Sequence, residues 1–233
     1  MRILLKLSGE ALMGKFSYGI DNEFLNTLVK KIIAISNEGH EIAIVVGSGN
    51  IFRGLGEGAK GMMRNNADMI GMVATIMNSV ALHDSFQNQG KESQIFCAKT
   101  IDSIGKLFTY EDAVKEMKDG KIVIIGGGTG NPFFTTDTAG ILRALELECE
   151  YVVKATKVDY LYDKDPKKFD DAKPIKRTTF MEVLEKDLRI MDLTAISLAK
   201  ENKIKLLIMN IEKLEKLIDF INGDEEIGTI IEN

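Results

Sequence analysis

Tryptophan is absent from this chain, and proline, cysteine and histidine are scarce at three, two and two residues. Each scarcity removes a class of protein. Cys97 and Cys149 lie far apart and neither belongs to a CxxC, so with only two histidines there is no spacing for a structural zinc site. Cys97 follows an apolar residue in an expected strand, and both cysteines read as buried, reduced thiols. No apolar run approaches the roughly 18 residues of a membrane span. The opening Met1-Arg2-Ile3-Leu4-Leu5-Lys6-Leu7-Ser8-Gly9-Glu10 is too short and too interrupted for a signal peptide, and a cytoplasmic location is expected. Charges of both signs are intermixed, and the net charge of −5 argues against a general nucleic-acid surface. Any phosphate chemistry must therefore rest on local Lys or Arg and backbone donors rather than on a basic field.

What is present is an alternation of strands and helices over 233 residues, with 45% hydrophobic and 28% charged residues as in ordinary globular proteins. Strands are expected at Arg2 to Leu7, Glu41 to Val46, Gln94 to Ala98, Lys121 to Ile125, Glu150 to Ala155, Lys205 to Met209 and Thr229 to Ile231. Asp21 is placed to cap a helix from about Asn22 to Asn37, whose Phe24, Leu25, Leu28, Ile32 and Ile35 recur at helical spacing. Further helices are expected over Ala67 to Gln89, Tyr110 to Lys118, Thr138 to Glu148, Phe180 to Lys186, from Asp192 to about Asn202, and over Glu212 to Ile221. The long Ala67 to Gln89 segment carries Met, Ile, Val and Leu on more than one side, implying burial against the sheet and something else. Lys167 to Lys176 reads as a loop. This order indicates an α/β fold, a mostly parallel sheet covered on both faces, as one continuous domain over 1–233.

One stretch organises the rest: Gly126-Gly127-Gly128-Thr129-Gly130-Asn131-Pro132-Phe133-Phe134-Thr135-Thr136-Asp137. It leaves a strand and enters a helix, the place where α/β proteins hold phosphate through converging N–H groups and the helix dipole. Its phenylalanines offer flat apolar surface for a base or ribose. Its threonines and aspartate offer hydroxyls, a carboxylate and a helix cap. Three other strand ends carry comparable chemistry: Lys6-Leu7-Ser8-Gly9, Gly47-Ser48-Gly49-Asn50, and Thr156 to Asp165. Ligands of open α/β sheets sit at the carboxyl ends of the strands, so all four loops are expected to share one crevice. One anion does not need so many donors, whereas transfer of a phosphoryl group between two bound molecules does.

Lys6 stands out because an unpaired lysine buried in an apolar strand would cost several kcal/mol; at the strand end it can meet transferring phosphate oxygens. Arg53 and Arg64, in a glycine-rich loop, are candidate phosphate clamps. Two look-alikes fail. Gly9 to Lys15 matches most of a P-loop, but Phe16 stands where the magnesium-binding hydroxyl belongs. Gly56 to Gly61 has dinucleotide-loop spacing without a strand leading in. His83 and Asp84, on the long helix, lack a nucleophile pattern nearby.

The blocks Lys6-Leu7-Ser8-Gly9-Glu10-Ala11, Asn50-Ile51-Phe52-Arg53-Gly54, Thr129 to Asp137, Lys154-Ala155-Thr156-Lys157-Val158-Asp159 and Met191-Asp192-Leu193 occur in order and correctly spaced. In them the sequence resembles the bacterial uridylate kinases of the amino-acid-kinase superfamily, from the first strand nearly to the last residue. The resemblance implies Mg²⁺-dependent ATP + UMP ⇌ ADP + UDP on a three-layer αβα sandwich. Such proteins are usually homohexamers, with an acceptor lobe mainly N-terminal and an ATP lobe mainly C-terminal. It implies that Lys6, Leu7, Ser8 and Gly9 contact ATP phosphates with Gly49 and Arg53, and that Thr156, Tyr162 and Asp165 hold the adenine nucleotide. Ser48 and Asp68 would serve UMP, Asp68 at the ribose, with Thr129, Gly130, Asn131, Pro132, Phe133, Phe134, Thr135 and Thr136 wrapped around it. Asp137 and Asp192 would orient the reacting centre, Asp192 partly by fixing Lys6, with Mg²⁺ carried by the ATP phosphates. Gly14-Lys15-Phe16-Ser17-Tyr18-Gly19 resembles the part associated with activation by GTP, and inhibition by UTP is common in the family.

Ser48 departs from that pattern, where a third glycine is usual; serine is harmless there if its φ is negative. Two other readings stay open. A superfamily kinase for a carboxylate, carbamate or isoprenoid phosphate would not need Asp68 with Phe133 and Phe134. A nucleotide sensor without catalysis would not need Lys6, Asp137 and Asp192 together.

Overall fold

The computed structural model describes residues 1–233 except Gly54, Leu55, Asp165, Lys167 and Arg189 and the side chain of Glu57. The first half runs β1 (Arg2–Leu7), α1 (Asn22–Asn37), β2 (Glu41–Val46), α2 (Arg64–Asn88), β3 (Ser93–Cys97), β4 (Lys106–Leu107), α3 (Tyr110–Lys118) and β5 (Ile122–Gly126). The second runs α4 (Thr136–Glu146), β6 (Tyr151–Thr156), β7 (Leu161–Tyr162), β8 (Pro174–Ile175), β9 (Arg177–Thr179), α5 (Phe180–Glu185), α6 (Leu193–Glu201), β10 (Lys205–Asn210), α7 (Leu217–Ile221) and β11 (Thr229–Glu232). Asp21 does cap α1, accepting from the N–H groups of Glu23 and Phe24.

Among the described residues nine strands form one sheet in the order β4-β3-β5-β2-β1-β6-β10-β11-β9. All its pairings are parallel except β10 with β11. Side chains alternate across a strand, and the two faces therefore bury different sets. Ile3, Leu5 and Leu7 of β1 pack with α1, the second half of α2 and α7. Leu4 packs on the other face with α3, α4, α5 and α6. The result is the expected αβα sandwich, a mostly parallel sheet between two helical layers. The same period of two puts Lys6 on the face of Leu4, and Lys154 on the face of Val152, both beneath α4.

Several local expectations change. α4 begins at Thr136, two residues early, and its cap is Thr135, which accepts from the N–H groups of Asp137 and Thr138. Asp137 is thereby released from capping for another use. The helix expected over Glu212 to Ile221 is a 3₁₀ segment (Ile211–Lys216) followed by the short α7. The Lys167 to Lys176 loop contains β8, which pairs with β7. Strands β4, β7, β8 and β9 are two or three residues long, too short for a period of two to register in sequence. Gly9–Met13 forms a 3₁₀ turn rather than a phosphate loop opening a helix, and Glu57–Ala59 is a single 3₁₀ turn.

Candidate active site

Strands β5, β2, β1 and β6 are consecutive and parallel, so their carboxyl ends lie on one edge of the sheet. The loops that follow them are the four singled out by sequence. They line two adjoining clefts. The loops after β1, β2 and β5 line a cleft of about 350 Å³ containing Lys6, Ser8, Gly9, Ser48, Gly49, Arg53, Arg64, Asp68, Thr129, Asn131, Phe134, Thr135 and Thr136. The segment after β6 lines a second cleft of about 700 Å³ with Lys154, Thr156, Tyr160, Leu161, Tyr162 and Ile190. Expected ATP contacts are thus divided. Ser8, Gly9, Gly49 and Arg53 lie with the expected UMP residues, and Thr156 and Tyr162 lie apart from them. Asp165 falls outside the described residues.

The two clefts meet at a buried charge cluster. Lys6, only 7% exposed, puts Nζ 2.5 Å from Oδ1 of Asp137, an ionic contact outside hydrogen-bonding angles. Lys154 Nζ donates to the other oxygen, Oδ2, at 2.8 Å and to the carbonyl of Ile190. Lys6 and Lys154 are register partners on β1 and β6. Burial pushes the Asp137 carboxyl up, but the two ammonium groups outweigh it and hold the group below the usual carboxylate range. Burial, helped by the charge of Lys6, holds Lys154 below the ordinary lysine value against the pull of Asp137. Lys154 belongs to a quoted block but was not among the expected site residues. The signal was available, since it is a lysine inside an apolar strand exactly as Lys6 is.

Asp192 does not hold Lys6. It caps α6 by accepting from the N–H of Ala195, and it accepts from the hydroxyls of Thr135 at 2.5 Å and Thr138 at 2.9 Å. It therefore ties α6 to the start of α4 and fixes the turn on which Asp137 sits. Helix α4 approaches β1 closely because of Gly140, where a Cβ would stand 3.2 Å from Cγ of Lys6. Glycine inside a helix costs about 1 kcal/mol; here it makes room for the lysine stem.

The first cleft is built by close backbone approach. A Cβ on Gly9 would stand 2.5 Å from the carbonyl oxygen of Gly47 and 2.6 Å from the N of Gly49, so only glycine lets the first two loops interlock. Asn50 and Asn78, both buried, exchange side-chain amide hydrogen bonds at 2.9 and 2.8 Å. Asn78 also donates to the Gly47 carbonyl, and Asn50 to that of Gly19. Ser48 is not among the residues with positive φ, and its hydroxyl donates to the carbonyl of Phe52. The serine is unstrained, as expected.

In the turn after β5, Gly127, Gly128 and Gly130 have positive φ, and so does Phe133 at 71°. For a phenylalanine that conformation costs about 1–2 kcal/mol. Asp68 offsets it by accepting from the Phe133 N–H at 2.7 Å. The same oxygen, Oδ2, pairs with Nε of Arg64 at 2.7 Å, and the Arg64 guanidinium lies over the Phe133 ring. Phe133 and Phe134 are 63% and 48% exposed, with Phe134 on the cleft.

The remaining expected residues stand back. Leu7 is buried in the core and its carbonyl receives the N–H of Gly47. Gly130 rests against Ala98, and Pro132 does not line the cleft. Arg53 is ion-paired with Glu10. Gly14 and Lys15 line a separate hollow with Asp21, Glu23 and Lys157, while Phe16 and Tyr18 are exposed. His83 is accounted for structurally, its Nδ1 lying 2.8 Å from the Ser93 hydroxyl.

The model of the amino acid kinase family matches residues 1–210. Uridylate kinase of a Sulfurovum species (strain NBC37-1) is 44% identical over 231 residues, 99% of this chain and 98% of that protein. The crystal structure of UMP kinase from Bacillus anthracis superposes with a TM-score of 0.93 at 30% identity, covering 99% of this chain and 95% of that one. That of UMP kinase from Ureaplasma parvum does so with a TM-score of 0.92 at 33% identity, covering 100% and 99%. A charge cluster where two clefts meet, on a mostly parallel sheet matched over its whole length, thus has one family context: the chain belongs to the amino acid kinase family, in its uridylate kinase branch.

Proposed function

We infer that this chain is a UMP kinase, transferring the γ-phosphoryl group of ATP to UMP to give UDP and ADP. The observation that carries the reading is the junction of two clefts at Lys6, Asp137 and Lys154. UMP belongs in the first cleft. Asp68 presents Oδ1, which is bound by nothing among the described residues, to ribose hydroxyls, and Phe134 offers its face to the base. The adenine nucleotide belongs in the second, against Thr156 and Tyr162, with its phosphates reaching towards Ser8, Gly9, Gly49 and Arg53. The acceptor lobe is then mainly N-terminal and the donor lobe mainly C-terminal.

In the transfer, a phosphate oxygen of UMP forms the new bond to the γ-phosphorus. The bond from that phosphorus to the β–γ bridging oxygen breaks, and ADP leaves with the electron pair. UMP reacts as the dianion, so no proton has to be removed. This chemistry asks for positioning and charge neutralisation; Lys6 supplies the second. Asp137 holds Lys6 at the junction, and Asp192 holds the turn that carries Asp137.

Magnesium enters as part of the donor. Among the described residues no group of three or more His, Cys, Asp or Glu is arranged to hold a metal, and both oxygens of Asp137 already face lysines. An ion here would take its ligands chiefly from nucleotide phosphates, whose charge it would neutralise. The reading extends to a cytoplasmic homohexamer activated by GTP at Gly14 to Gly19 and inhibited by UTP. An apolar stripe on α2 (Met69, Ile70, Val73, Met77 and Val80, each 40–54% exposed) supports assembly. Asn50 joins Gly19 to the Gly47–Gly49 loop, which gives regulation a route into the first cleft. No helix of the described residues is long and apolar enough to cross a membrane.

The test is an ADP-release assay with UMP, CMP, dUMP, AMP and glutamate as acceptors. Turnover on UMP alone is expected. Turnover on a carboxylate, or tight nucleotide binding without turnover on any acceptor, would overturn the reading.

A further inference from the structure

Glycines leave a turn free to rotate its peptide planes, so the turn after β5 has to be fixed by its neighbours. Helix α2 holds two of its N–H groups. Thr75 Oγ1 accepts from Gly127 at 2.8 Å, and Asp68 accepts from Phe133 at 2.7 Å. Within the turn, Gly130 donates to the Gly127 carbonyl and Asn131 to the Thr129 hydroxyl. The peptide joining Gly128 to Thr129 has one partner among the described residues, Arg143 of α4, whose Nη2 donates to the Gly128 carbonyl at 3.5 Å. Arg143 is only 6% exposed. Its guanidinium lies over the Phe108 ring at 4.3 Å, and Nη1 pairs with Glu146 at 2.6 Å. Its Nε is buried with no partner among the described residues. A buried guanidinium with a donor left unpaired is costly. Leucine or methionine would suit the helix and cover Phe108 without that cost, so packing alone does not call for arginine.

We propose that Arg143 is a positioning residue for UMP, holding the Gly128–Thr129 peptide in the orientation that the first cleft requires. The C=O and N–H of a trans peptide point in opposite directions. With the Gly128 carbonyl turned towards Arg143, the Thr129 N–H is turned away from it. Gly128, Thr129 and Asn131 line the first cleft and Arg143 does not, so this N–H is presented on the cleft side. It has no acceptor among the described residues and stays available to an oxygen of UMP. The 3.5 Å contact is long for a hydrogen bond, and it shortens as bound UMP settles the turn. Arg143 touches no substrate itself; it acts through one carbonyl, from behind the turn that Thr75 and Asp68 hold from α2.

The inference rests on the kinase reading, and the two fail differently. If the unaltered chain does not phosphorylate UMP, the kinase reading fails. If it does, Arg143→Met is compared with it by steady-state kinetics, by thermal unfolding, and by calorimetric binding of UMP and a non-hydrolysable ATP analogue. KM and Kd for UMP should rise by about tenfold, with the analogue within about threefold, because only UMP meets the turn. Arg143→Lys keeps the charge but loses the planar fork, and should weaken UMP by at least about threefold. It also serves as the test if the methionine variant does not fold. A purely structural role would lower the unfolding temperature and leave the nucleotide constants of the folded protein alone. UMP constants within about threefold of the parent in the methionine variant, or equal weakening of UMP and the analogue, would therefore make Arg143 a packing residue only. A lysine variant that binds UMP as well as the parent would count the same way.

Discussion

Lys6 and Lys154, about 150 residues apart in sequence, stand opposite one another on adjacent parallel strands, with the Asp137 carboxylate between their ammonium groups. Its two oxygens are divided between them. Removing any one of the three leaves a different imbalance, and the consequences are separable.

Replacing Lys6 by Ala removes the cation that faces the first cleft and leaves Asp137 paired with Lys154. We expect kcat to fall by about a hundredfold, with UMP affinity changed by less than about threefold. Calorimetric titration with UMP beside steady-state kinetics makes the comparison. Lost UMP binding with kcat preserved would put the lysine in the wrong place.

Asp137→Asn removes the carboxylate from two buried lysines, which should cost about 3–5 kcal/mol of stability near neutral pH. Stability rises with pH in both proteins, but in different windows. In the parent, Asp137 is held below its unfolded value, so its contribution is full above the ordinary carboxylate pKa and is lost as pH falls through the lower folded one. In the variant the lysines lack a counter-charge, the unfolded chain binds more protons, and stability should rise as pH climbs towards the ordinary lysine range. Urea titrations from pH 7 to about 10 test this; parallel curves for the two proteins would count against the charge account.

Gly140→Ala sets helix propensity against room for the lysine. The methyl group would lie 3.2 Å from Cγ of Lys6. We expect stability unchanged or raised by up to about 1 kcal/mol, together with a loss in kcat of about tenfold as Lys6 is displaced. Thermal unfolding and kinetics on one preparation decide it. Unchanged kcat would mean that the lysine stem gives way freely.

Asp68→Ala takes away the acceptor that holds Phe133 in its unusual backbone conformation and the partner of Arg64. KM for UMP should rise by about tenfold or more, with KM for ATP little changed. The Asn variant at this position tests charge separately from hydrogen bonding.

Cys97 and Cys149 are both buried, and burial pushes the Cys149 thiol up to about 12. Alkylation by iodoacetamide should therefore stay slow in the folded protein as pH passes the ordinary thiol range. Both thiols should react once the chain is unfolded. Rapid labelling of either in the folded state would contradict their placement.

Much of this was legible in one dimension. Period-two alternation placed Leu4 and Lys6 on one face of β1, and helical spacing with Asp21 as cap gave α1 to the residue. Those signals are local, because side-chain direction and backbone capping depend only on near neighbours along the chain. The glycine turn after β5, the interlocking loops after β1 and β2, and the unusual lysine in the first strand were likewise written in residue types.

Other features came only with the assembled sheet. That β6 lies beside β1 is a matter of long-range strand order, and it alone turns Lys154 from one apolar-strand lysine into the partner of another. The release of Asp137 from capping followed from a two-residue shift in where α4 begins, decided by the threonine that meets Asp192 from α6. The second cleft is lined jointly by the segment after β6 and the segment carrying Ile190, which are distant in sequence. Composition and periodicity therefore determined which residues stand at the strand ends, while tertiary packing decided which of them face each other, because electrostatic partners are chosen by distance in space and not along the chain.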